Sequence, residues 1–175
     1  SFLIVTYEPQ GELFSDYSLN RIANLENDLK NINGVDSVLS ILDAPIFFQP
    51  RVGLTDVADN LKDLTDENID LELAREEIIN NPIYKELIIS KDGKVTAMQV
   101  VLRGNDEYDE LISERYEILD TLSSKEVLSL KNKTELQNRL NQINERISEL
   151  NNQESEFSKL LISEIRGTLN KYKDE

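Results

Sequence analysis

A chain of 175 residues with 34 Asp and Glu against 19 Lys and Arg carries a net charge of −15, which argues against a nucleic-acid backbone or an anionic membrane surface as partner. With no Cys and no His, thiolate and imidazole metal sites, a Cys nucleophile and a Ser-His-Asp triad are excluded within the chain. Apolar residues make up 39%, below the roughly 45–50% usual for globular domains, and the deficit lies mostly after residue 104.

Phe2-Leu3-Ile4-Val5-Thr6-Tyr7 is a β-branched and aromatic run closed by Glu8-Pro9-Gln10-Gly11. It predicts a first strand, apolar on both sides and therefore central in its sheet. A helix then begins near Asp16 or Ser18, both good N-cap types. Leu19, Ile22, Leu25, Leu29 and Ile32 recur at spacings of three and four, one apolar stripe. Asn33-Gly34 reads as the helix stop, because glycine takes the left-handed conformation without a Cβ penalty. Val35, Val38, Leu39, Ile41 and Leu42 then put apolar groups on both faces of a second strand, as in a covered sheet. Strand, helix and strand within about 43 residues is the pattern of a parallel βαβ unit.

Residues 44–56 hold Pro45, Pro50 and the pair Phe47-Phe48, which predicts a loop or an edge excursion. The two Phe either plug into their own core or form a substrate- or partner-contacting loop, since exposed apolar patches mark contact sites. Helix is expected in two pieces over 56–81, carrying Val57 and Leu61, then Leu73, Ile78 and Ile79. Asn81-Pro82 closes the second, because the residue before proline is pushed out of the helical region. Leu87-Ile88-Ile89-Ser90, a Lys91-Asp92-Gly93-Lys94 turn and Val95 to Leu102 predict a β-hairpin, with Met98, Val100 and Leu102 on one face.

From Asn105 onward Gly and Pro nearly vanish. Leu111, Ile112, Ile118, Leu119 and Leu122 form one helical segment. Leu136, Leu140, Ile143, Ile147 and Leu150 repeat as a short heptad seam, and Phe157 to Tyr172 continue with a broader stripe. Two layouts fit. Either Asn151 to Gln153 is the turn of an antiparallel hairpin, or helix runs through it and the chain reverses near Ser123-Ser124. The first is the expectation, because Asn lowers helix propensity. The seam serves either as a self-packing arm or as a docking arm for a protein partner.

No catalytic motif is visible, and the chain is not expected to be an enzyme or to carry a cofactor. Asp66 to Glu77 places oxygen side chains at positions 1, 3, 5, 7 and 12 of an EF-hand loop, but position 6 is Leu71 where that loop needs glycine. A solvated acidic helix is the expectation there, and no metal site is assigned. The six glycines form no phosphate-binding loop.

Taken together, Phe2 to Tyr7, the helix over 18–32, Gly34-Val35-Asp36-Ser37-Val38-Leu39-Ser40, Asn81-Pro82, Leu87 to Lys94 and the helix Leu161-Ile162-Ser163-Glu164-Ile165-Arg166 through Tyr172 fall in a familiar order. The chain resembles the first extracytoplasmic domain of RND-superfamily exporters, the group that includes MMPL-like and hydrophobe or lipid transporters. The resemblance covers residues 1–104 and about 158–173; residues 120–157 look like a helical insertion that many relatives lack.

What it implies is an α+β fold, a ferredoxin-like split βαβ sandwich formed by 1–104 with 158–175, and a helical-hairpin or coiled-coil excursion over 105–157. It implies a non-enzymatic domain on the extracytoplasmic, periplasmic side of the cytoplasmic membrane, part of a proton-driven transporter. Its partner would be a hydrophobic or amphipathic small molecule or lipid, with Phe47 and Phe48 as candidate contacts and a protein partner possible at the hairpin. The alternative is a soluble scaffold whose hairpin docks a protein. The strand-like start at Ser1 and the end at Glu175, where the family places its next strand, lead one to expect an excised loop of a longer protein. No segment here approaches the ~20 apolar residues of a membrane span.

Overall fold

The computed structural model describes residues 1–48, 62–124 and 130–173. It is mixed α+β, and its residues group into two compact units: 1–103 with 164–175, and 104–163.

The first unit is built on a three-stranded antiparallel sheet. Strand β1 (Phe2–Tyr7) and strand β2 (Val35–Leu39) both pair with β3 (Thr96–Leu102), giving the order β1-β3-β2. The register runs from Phe2 opposite Val101 to Tyr7 opposite Thr96 on one side, and from Val35 opposite Leu102 to Leu39 opposite Gln99 on the other. β1 and β2 are therefore parallel to each other but not neighbours; β3 lies between them. A βαβ crossover leaves that gap when a later strand takes the middle position.

Two sequence expectations are corrected here. Among the described residues β1 is an edge strand rather than a central one, and one face of the sheet is covered. Val5, Tyr7, Met98 and Val100 are buried at alternate positions, whereas Phe2 and Ile4 are each 58% exposed and Leu39 is 49% exposed. Continuous apolar runs suggested two covered faces; the burial instead follows the period-two alternation of a sheet packed on one side. β2 keeps Val35 and Val38 on the same face through a bulge between Val35 and Ser37, which shifts the alternation by one.

Helix α1 (Asp16–Lys30) is capped by Ser15, whose Oγ accepts from the Ser18 amide at 3.2 Å. It buries Leu19, Ile22, Leu25 and Leu29, the predicted stripe. The helix ends three residues earlier than expected. Gly34 works instead in the following turn, where the Val35 amide bonds the Ile32 carbonyl and Gly34 sits at φ 102°. After β2 the chain does not stay extended: Ile41–Asp43 form a single 3₁₀ turn, capped at both ends of the box by Ser40 and Asp43. Helix α2 (Leu71–Asn80) is capped by Asp70 and stops at Asn81, before Pro82, as the proline requires. Its predecessor over 56–61 lies outside the described residues.

In the expected hairpin the turn forms, with Gly93 at φ 68° and its amide bonded to Ser90 O. Its first arm is no full strand. It reduces to a bridge between Ile89 and Thr96, with Ala97 N bonded to Ile88 O. Asn81 and Glu86 show why: the chain turns tightly over 81–88, and Glu86 takes a positive φ of 65°, so only a short stretch reaches β3 extended.

The second unit contains helix α3 (Asp106–Ser123) and the first part of α4 (Leu130–Asn170). The expected turn at Asn151 to Gln153 is not there. Helix α4 runs through it, and α3 ends at Ser124, which is extended with φ −62° and ψ 150°. Asn costs a helix only about 0.7 kcal/mol per residue, too little to break one that is packed on either side. The layout with the reversal after Ser123 is the observed one. Arg139 makes a two-point pair with Glu114 at 2.6 Å, and Arg146 pairs with Glu107 at 2.7 and 3.0 Å. Those residue numbers add to the same value, as antiparallel neighbours must. Between them Ile118, Ile143 and Leu150 are buried.

Candidate functional site

Phe47 and Phe48 follow Ile46, which is buried and bridged to Lys62. Their backbone is fixed from α2: the Glu77 carboxylate accepts the Phe47 amide at 2.7 Å and the Phe48 amide at 3.2 Å. Phe47 is half-buried and Phe48 is 61% exposed. The pair therefore divides, one ring turned partly inward and one outward. Tyr84 steadies the same region by donating to the Pro45 carbonyl at 2.8 Å. Burial, followed by the nearby Glu77 charge, holds the Tyr84 phenol above its ordinary pKa and so keeps it a donor.

The same contacts answer the calcium pattern. Glu77, its twelfth position, is occupied by two backbone amides, Asp70 caps α2, and helix begins at Leu71 in the middle of the would-be loop. A helical backbone from position 6 onward cannot wrap an ion as an EF-hand loop does.

A concavity of the first unit lies at the end of the sheet where β1 finishes and β3 begins. It is a cleft of about 930 Å³, bordered by the loop after β1, by α2, by the Asp92-Gly93-Lys94 turn and by the end of α4. Leu13, Leu25 and Leu169 supply apolar surface, and the rings of Tyr7 and Tyr172 stand beside them. Both tyrosines are held by Arg21. Its Nε donates to the Tyr7 hydroxyl at 3.2 Å and its Nη2 to the Tyr172 carbonyl at 2.9 Å. The guanidinium also lies 5.7 Å from the Tyr17 ring centre and 5.6 Å from that of Tyr172, within cation–π range. Tyr172 in turn donates to Asp28 at 2.9 Å, and desolvation together with that carboxylate raises its pKa.

Six charged side chains border the cleft: Arg75, Lys94 and Lys173, and Glu8, Glu12 and Asp92. Asp92 is committed to its own turn. It accepts from Ser90 Oγ at 2.6 Å and from the Lys94 amide at 3.2 Å, and these bonds hold its carboxyl below the ordinary range.

The cleft was not among the residues singled out from sequence. Its walls come from five segments of the chain, from Thr6 to Lys173, and no local pattern links them. Phe47 and Phe48 do not border it. No protein-family model, curated protein or solved structure matches the chain.

Proposed function

We propose that this chain is an extracytoplasmic, porter-type domain of an RND-superfamily, MMPL-like exporter, where it takes part in capture and relay of a hydrophobic or amphipathic substrate. The observation that carries the reading is the strand order: two parallel strands, β1 and β2, flank an antiparallel β3. A ferredoxin-like split βαβ domain requires that arrangement of three of its four strands, and leaves the outer edge of β1 for the fourth. Among the described residues no strand pairs with that edge. Further support comes from the chain's return: residues 164–175 rejoin the unit formed by 1–103 after the helical excursion. In such a domain the sheet unit binds and moves, while proton coupling belongs to membrane segments elsewhere in the parent protein.

The reading frame around the chain provides the test. It should encode an apolar run of about 20 residues before Ser1 and another soon after Glu175. A frame encoding no such run would sink the proposal. A second reading, a scaffold that docks a protein through its hairpin, draws on the exposed Tyr116 and Leu160 of α3 and α4. That reading predicts a parent protein without membrane spans.

A further inference from the structure

We infer that the cleft at the end of the sheet binds an amphipathic organic anion, a carboxylate or similar headgroup on an apolar chain. The inference deepens the exporter reading, on which its role as a capture site rests. It starts from charge placement. In a chain with nearly twice as many acids as bases, three cations reach this one cleft from three separate elements: Arg75 from α2, Lys94 from the turn before β3, and Lys173 from beyond α4. Arg21 stands behind the tyrosine wall, bonded to the Tyr7 hydroxyl and the Tyr172 carbonyl.

The three acids are placed differently. Asp92 keeps its negative charge while accepting from Ser90 Oγ and the Lys94 amide, and Arg75 has Glu72 at 3.6 Å as a helix neighbour. Glu8 and Glu12 both belong to the single loop after β1. A negative headgroup can meet cations from three elements, whereas the acids come from two, the loop after β1 and the Asp92 turn. The apolar body has its own surface in Leu13, Leu169 and the Tyr7 and Tyr172 rings. Rings pinned by Arg21 lose little further freedom when a ligand packs against them, which favours binding. At about 930 Å³ the cleft falls in the size range of small-molecule sites.

The test is an NMR titration of the whole chain with decanoate and, separately, with decyltrimethylammonium, each kept below its micelle concentration. Decanoate should shift the amides of Gly11, Leu13, Gly93, Lys94, Leu169 and Tyr172, and the cationic amphiphile should not. Neutralising the cations together (Arg75→Gln, Lys94→Gln, Lys173→Gln) should weaken decanoate about tenfold, the sum of a few exposed charge contacts. Replacing Glu8 and Glu12 by Gln should tighten it, an effect that a merely structural role for the loop would not produce. Equal affinity for the two amphiphiles, shifts centred on Phe2 and Ile4 instead, or no shift at all would each overturn the assignment. Decanoate binding in the cleft together with a parent frame lacking membrane spans would uphold the site and remove the exporter; membrane spans without binding would do the reverse.

Discussion

Among the described residues Glu26 is the only charged side chain in the core, and its position explains the chain's path after β2. One carboxylate oxygen accepts from Ser40 Oγ at 2.7 Å and the other from Lys30, one helical turn on. Ser40 Oγ in turn accepts the Leu42 amide at 3.1 Å, which bends the chain out of β2 into the 3₁₀ turn and delivers Ile41 to the core. A buried carboxylate is tolerable only when its lone pairs are satisfied. Ser40→Ala strips one partner from Glu26 and the cap from Leu42 together. It should lower stability by about 1–2 kcal/mol in a urea melt, with an unchanged m-value. A loss of less than a few tenths would mean that Glu26 is hydrated rather than held.

At the scale of elements, the α3–α4 pair depends on ion pairs as well as on its seam. Hydrogen bonds from Arg146 and Arg139 hold the Glu107 and Glu114 carboxyls below their ordinary values. For a carboxyl whose folded pKa is depressed, the stabilisation is present above the unfolded value, about 4.3, and is lost as pH falls through the folded value. The melting-temperature advantage of the native chain over an Arg139→Gln, Arg146→Gln variant should therefore persist at pH 7 and shrink below about pH 4. An advantage independent of pH would assign those arginines a packing role alone.

The sheet's edges differ too. β2 carries Asp36 and a bulge, both of which deter further pairing, whereas β1 has no charge, no proline and no bulge. An edge open to pairing predicts concentration-dependent self-association in sedimentation experiments, which Ile4→Lys, at an exposed position, should reduce while leaving the melting temperature nearly unchanged. Unaltered association would show that the β1 edge is not what the chain uses.

These elements also show what could be read from residue order. The α1 stripe, the proline stop of α2 and the positive φ at Gly93 are local, set by spacing or by one residue's allowed backbone, and all were legible. The neighbour of a strand is not local. Met98 and Val100 announce a period of two, but nothing in them says that β3 lies between β1 and β2. Phe2-Leu3-Ile4 looked buried on both faces because apolar composition records an affinity for cover and not whether cover is present. At Asn151-Asn152 a weak propensity was outweighed by the continuity of a 41-residue helix. The cleft was the least legible feature, since Tyr7, Arg75, Lys94 and Tyr172 meet only once the fold exists.

At the scale of the molecule, the chain divides its work between a sheet unit with a ligand-sized cleft and a helical unit made almost wholly of surface-charged helix. None of the described helices is long and apolar enough to cross a membrane. In the exporter account such segments belong to the parent protein, and the charge of −15 suits a domain kept away from an anionic lipid surface. The most direct measurement is topological: express the full reading frame, prepare intact spheroplasts, and treat them with a membrane-impermeant lysine reagent. The account predicts that the product stays with the membrane fraction and that lysines of this segment, Lys94 and Lys159 among them, are labelled before lysis. A product that leaves the membrane on washing, or one whose lysines react only after lysis, would contradict it.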